Sequence, residues 1–298
     1  MTDELRIDSH PSLERPVMIA AFRGWNDGGQ GASLAGAYLA RAWAAVEFAS
    51  IDSENFYDFQ ATRPTVSLVD GYTRQIEWPE NTFLHAPLPG AGRDVIIMLG
   101  VEPNLRWRTF SQLVTQVAKE FKVELVVTLG SLLADVPHTR PSPVTGSATD
   151  PELIEQLGLQ ASRYEGPTGM VGVLHDACDR AGLKSASLWA AVPHYVSLTP
   201  SPRAAKALVD RLAELLSADV DSVELEEAAD AYAQQVSEAV ATDEETAAYV
   251  QELERRADEL VDEDDDVPSG DSIAAELTRY LREHDKQNGG GGDDVARG

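Results

Sequence analysis

Cysteine is almost missing from this sequence. Among 298 residues there is one, Cys178. A single thiol forms no internal disulfide and builds no cysteine-based zinc site. A reducing, cytoplasmic compartment fits that usage. Positive charge is scarce too, with 24 Lys and Arg against 50 Asp and Glu, a formal charge of −26. Nucleic-acid binders neutralise phosphates with stripes of Lys and Arg. No such stripe occurs, so nucleic acid is excluded as a partner, and an anionic membrane surface is disfavoured for the same reason. No apolar run approaches the ~18 residues a membrane helix needs. The opening residues MTDEL lack the basic and apolar regions of a secretory signal. The expectation is a soluble, acidic, cytoplasmic chain with one large domain or two small ones.

The acidity is local. Residues 219–266 hold 19 acidic and 2 basic side chains, a net of −17. Residues 1–218 carry only −7, and residues 267–298 carry −2. This divides the chain into a core (1–218), an acidic segment (219–266) and a tail (267–298).

The core reads as α/β. Apolar runs at Val17–Phe22, Val46–Ile51, Val95–Leu99, Leu125–Leu129 and Ser187–Val192 look like strands buried on both faces. Helical patterns at 32–45, 107–121 and 168–181 separate most of them. Alternation of this kind predicts a mainly parallel sheet covered on both sides, a three-layer core. Residues 65–78, TVSLVDGYTRQIEW, interrupt it. Two β-rich runs meet at Asp70-Gly71, a hairpin signal. Such an insertion packs on its own domain or reaches a neighbouring subunit. Ser201 can cap a helix that starts at Pro202 and runs to Leu216.

The acidic segment carries two apolar stripes at helical spacing. The first is Leu225, Ala228, Tyr232, Val236 and Val240; the second is Ala247, Val250, Leu253, Ala257 and Leu260. Between them, Thr242 and Glu245 have capping-box spacing. A helical hairpin follows, either a solvated amphipathic pair or a lid over the core. Residues 271–283 form one more amphipathic pattern, and the glycine-rich tail after it is expected to be disordered.

Ligands of open parallel sheets bind beyond the carboxyl ends of the strands. Polar residues gather there. The first strand is followed by Gly24, Trp25, Asn26, Asp27 and Gly28. The fourth is followed by Gly130, Asp135, His138, Thr139 and Arg140. A third group, Glu165, Thr168 and Gly169, leads into a helix, and His194 follows the fifth strand. The glycine-rich loop before a helix favours an anion, or it serves only a tight strand-to-helix turn. Asp27 and His138 are the candidate acid–base groups, and Arg140 the candidate anion clamp. Phosphate-loop, dinucleotide, nucleophile-elbow and HExxH patterns are all missing. No cofactor and no metal are expected. Cys178 reads as a small core residue.

Six stretches together carry a family likeness: GWNDGGQGA (24–32), FYDFQATRP (56–64), LGVEPNLRWRTF (99–110), LGSLLADVPHTRP (129–141), SRYEGPTG (162–169) and LWAAVPHYV (188–196). Over roughly residues 15–262 the chain resembles the proteasome assembly chaperone 2 family, in its actinobacterial branch. The resemblance implies a core with the topology of purine nucleoside phosphorylases and peptidyl-tRNA hydrolases. It also implies a homotrimer with an oligomerisation hairpin at 65–78 and a helical lid at 223–262.

Two functions stay open. One is an oligomeric small-molecule-binding protein, or a hydrolase or transferase, with a pocket under the lid. The other is a non-enzymatic assembly chaperone or interaction module with a protein partner.

Overall fold

The computed structural model describes residues 4–148, 150–162 and 164–262, and of residues 260–262 the backbone alone. The expected 271–283 helix, the tail and residues 263–266 lie outside the described residues.

The chain opens with β1 (Leu5–Ile7), β2 (Val17–Arg23), α1 (Gly31–Ala42) and β3 (Val46–Ile51). A hairpin follows, β4 (Thr65–Val69) and β5 (Thr73–Glu77), then β6 (Asn81–Leu88), β7 (Arg93–Val101) and α2 (Trp107–Glu120). Next come β8 (Leu125–Ala134), β9 (Val144–Ala148), α3 (Pro151–Leu157), β10 (Gln160–Ala161) and α4 (Met170–Ala181). The last elements are β11 (Ser185–Pro193), α5 (Pro202–Leu216), α6 (Val223–Val240) and α7 (Glu244–Asp262).

Among the described residues, nine strands form one mixed sheet, in the order β1-β3-β6-β7-β2-β8-β11-β9-β10. Its centre, β7-β2-β8-β11, is parallel. The flanks join it antiparallel. β6 runs antiparallel to β7 and to β3, and β9 antiparallel to β11. The mainly parallel expectation therefore holds at the centre and for the edge pair β9–β10, and not for the rest of the flanks. Val46–Ile51, expected among the parallel strands, bonds to antiparallel neighbours on both sides.

Alternation along β2 shows why both faces are covered. Val17, Ile19 and Ala21 join an apolar cluster with α1 and α5. Met18, Ala20 and Phe22 join another with α2 and α4. Successive side chains point to opposite faces, so a fully apolar strand needs helices on both. Cys178 lies buried in the second cluster, where desolvation pushes its thiol up to about 12.

α5 begins as expected, with the Ser201 hydroxyl accepting from the Ala204 amide at 3.4 Å. The α6–α7 turn differs from the sequence reading. Asp243, not Thr242, caps α7: its carboxylate accepts from the Glu245 amide at 3.2 Å and the Thr246 hydroxyl at 2.5 Å. Thr242 instead donates to the Ala239 carbonyl at 2.7 Å. The buried stripe of α6 is Leu225, Ala229, Tyr232 and Val236, so Ala229 replaces the expected Ala228. Within the described residues, no helix is long and apolar enough to cross a membrane.

Candidate functional site

The expected site residues fall into three separate places. The first is the turn from β2 to α1. Gln30 sits at the N-cap of α1 in a left-handed conformation and makes no side-chain cap. Asp27 supplies that cap from three residues earlier. Its Oδ1 accepts from the Ala32 and Ser33 amides at 2.9 and 3.1 Å and from the Ser131 hydroxyl at 3.4 Å. Its Oδ2 accepts from the Ser33 hydroxyl at 2.6 Å. The carboxylate thus fills the anion position that a helix N-terminus offers. Burial holds its pKa above the ordinary carboxylate value, while these hydrogen bonds pull it back. Gly31 is needed for contact: a Cβ there would lie 2.8 Å from the Ala204 Cβ of α5. A Cβ on Gly28 would lie 3.0 Å from the Leu132 Cα of β8.

The second place joins the loop after β8 to α6 and α7. His138 is buried, and its Nδ1 and Nε2 lie 2.8 and 2.9 Å from the hydroxyls of Tyr195 and Ser237. Desolvation lowers its pKa, against the pull of Glu254. Thr139 donates to Glu254. Arg140 donates twice to Asp258, through Nε at 2.7 Å and Nη2 at 2.8 Å. Asp135 accepts from the Tyr249 hydroxyl at 2.9 Å and lies 3.1 Å from His194 Nδ1. The Arg140 fork therefore grips a carboxylate of the chain's own acidic segment.

The third place is a cavity of about 340 Å³. Its floor is β8, β11 and β9. Its walls are α4, β10 and the residues Ser162, Tyr164, Gly166, Pro167 and Thr168, with Trp25 and Asn26 at one side. Trp25, Asn26 and Thr168 line it, whereas Asp27, Asp135, His138, Thr139, Arg140 and His194 do not. Gly24, Gly28, Gly130, Glu165 and Gly169 flank the lining residues without joining them. Among the described residues, none of α6 or α7 lines this cavity.

Gly130 shapes the floor. It pairs in register with Trp189, and a Cβ on it would lie 2.4 Å from the indole Cε3. Only glycine lets that ring lie across β8. Deeper in, register brings hydroxyls together: Thr128, Ser187 and Ser147 stand side by side on β8, β11 and β9. The Ser147 and Ser187 oxygens are 2.8 Å apart. His175 of α4 lies 2.9 Å from the Thr128 hydroxyl and 2.8 Å from that of Ser185. Desolvation lowers its pKa to about 4, so at neutral pH the ring is uncharged.

Glu102 was not anticipated. Its carboxylate accepts from the Trp25 amide at 3.0 Å and from the Met170 amide of α4 at 2.7 Å, tying one wall to the other. Trp189, Ser147 and Ser187 were also missed as lining residues. Ser187 and Trp189 were read only as part of an apolar strand, and the segment that holds Ser147 was not read as a strand. Among the described residues no group of three His, Cys, Asp or Glu is placed to hold a metal.

A model of the PAC2 family matches residues 21–240. A PAC2 family protein from Streptomyces avermitilis is 47% identical, with a TM-score of 0.74 over 79% of this chain and 99% of that one. A proteasome-assembly chaperone homologue from Mycobacterium tuberculosis is also 47% identical, with a TM-score of 0.71 over 78% of this chain and 99% of that one. An archaeal proteasome activator from Pyrococcus furiosus is 19% identical, with a TM-score of 0.64 over 79% of this chain and 97% of that one. That last likeness is one of fold. Comparison with curated proteins finds no match.

Proposed function

The chain belongs to the PAC2 family, and from that premise we propose that it acts through protein contacts, as a non-enzymatic assembly chaperone or interaction protein. One observation carries this reading. The β4–β5 hairpin forms a sheet of its own and exposes its apolar side chains. Val66 and Ile76 face each other across the strands, with Leu68 on the same face. They are 62%, 57% and 60% exposed, and Tyr72 at the tip is 92% exposed. An apolar patch of this kind on a soluble domain marks an interaction surface. A two-stranded ribbon alone is marginally stable in water. Its base is fixed by Trp78 packed edge-on against Phe59 at 4.8 Å. Ile76 and Trp78 also line a groove with Leu34 and Ala37 of α1, a seat for a neighbouring copy.

The bonding of the expected catalytic groups supports the same reading. Asp27 caps a helix, both His138 nitrogens lie against hydroxyls, and Arg140 holds Asp258. The proposal carries with it the finer implications of the family resemblance: a homotrimer joined by the hairpin, a phosphorylase-like topology and a lid made of α6 and α7. It also carries a cytoplasmic setting and function without a cofactor. The Mycobacterium relative, described as a proteasome-assembly chaperone homologue, makes a proteasome-type protein complex the partner class to examine first.

The test is sedimentation of the wild type and of Leu68→Lys/Ile76→Lys. The wild type is expected to sediment as a trimer and the variant as a monomer with unchanged circular dichroism. A wild type that stays monomeric and captures no partner from native cells contradicts the proposal.

A further inference from the structure

The cavity beneath α4 is lined by no residue of the hairpin and, among the described residues, by none of α6 or α7, so it lies outside the surfaces on which the assembly reading rests. We propose that it binds an uncharged aromatic heterocycle carrying a hydrogen-bond acceptor.

Size and enclosure come first. About 340 Å³ lies within the range of small-molecule sites, which are mostly apolar with a few placed polar groups. Three aromatic side chains, Trp25, Tyr164 and Trp189, line it. Their ring faces suit a flat partner. Tyr164 is held by its hydroxyl, which donates to the Pro167 carbonyl at 2.8 Å. Trp189 is held by its register opposite Gly130. Two of the three rings are therefore fixed before anything binds, which lowers the ordering cost of association.

The polar groups define the rest of the ligand. Among the described residues no lining side chain is charged at neutral pH. Burying an ion there without a partner is strongly unfavourable. The hydroxyls of Ser147 and Ser187 share one hydrogen bond, so one of the two protons is left for a ligand acceptor. A free hydroxyl proton among aromatic rings describes a flat ring with an acceptor heteroatom at its edge.

The experiment uses the full chain and three uncharged probes: adenine, cytosine and nicotinamide. Adenosine monophosphate serves as the charged counterpart. Saturation-transfer NMR detects contact, and calorimetry gives affinity. At least one uncharged probe is expected to bind, and adenine more tightly than its monophosphate. Ala161→Trp, at an exposed mouth position, should abolish that binding. Trp25→Ala, at a ring that is 47% exposed, should weaken it by about tenfold, the usual worth of one base–aromatic stack. Both variants should keep the wild-type circular dichroism and sedimentation, which separates this test from that of the hairpin. Three results overturn the proposal: no transfer to any uncharged probe, tighter binding of the monophosphate, or unchanged affinity in both variants.

Discussion

Arg140 and Asp258 meet through two parallel hydrogen bonds, 2.7 and 2.8 Å long, although 118 residues separate them in the chain. The guanidinium lowers the Asp258 pKa, as a paired cation should. This fork is one of the ties that hold α7 to the core, beside Thr139–Glu254 and Tyr249–Asp135. The pair is largely exposed, so screening limits its worth. Arg140→Ala should speed amide exchange along residues 244–259 while leaving the sheet protected. Hydrogen-exchange mass spectrometry reads this directly. Unchanged exchange in α7 would show that the fork is not a restraint.

Asp27 has a different role, and its loss should be felt more widely. Asp27→Ala removes the acceptor for two helix amides and for the Ser33 hydroxyl. The expected loss is about 2 kcal/mol, the sum of a missing cap and unpaired buried donors. Urea denaturation measures it. Asp27→Ser should recover part of the loss, since a hydroxyl can still accept from an amide. A full-strength fold in Asp27→Ala would argue that the carboxylate is kept for a ligand.

His175 predicts a pH dependence with a definite sign. Its folded pKa is lowered from 6.5 to about 4. Between those values the unfolded chain binds a proton that the folded chain does not, so stability falls as pH falls. The loss begins near 6.5 and is complete near 4, at a size on the order of 3 kcal/mol. His138, also lowered, adds in the same direction. Asp27, raised by burial, works the opposite way in the carboxylate range. Chemical denaturation at pH 7 and pH 5 should show the drop, and His175→Gln should make it smaller. An equal drop in the variant would assign it elsewhere.

The strands legible in the sequence are those with near-continuous apolar runs, read at Val17–Phe22 and Leu125–Leu129, which the structure extends to Arg23 and Ala134. β6 was not, because Asn81, His85 and Pro87 break its run, and neither was β9, which is built from small residues. Apolar patterning reports burial, not strand direction. That is why Val46–Ile51 could be found yet placed among parallel strands when both its pairings are antiparallel. The candidate site shows the same divide. The polar strand-end residues are where the sequence puts them, but the loops send Asn26 and Thr168 to one cavity and His138 and Arg140 to another place. The carboxylates that meet Arg140 lie far along the chain, and nothing local announces the pairing.

Amide exchange in the β4–β5 hairpin as a function of protein concentration tests the central claim most directly. If the apolar face of Val66, Leu68 and Ile76 is an assembly surface, residues 66–76 will be protected at high concentration and lose protection on dilution. Leu68→Lys/Ile76→Lys will exchange freely at every concentration. A wild-type hairpin that exchanges freely at all concentrations, with or without native-cell partners, would contradict the account.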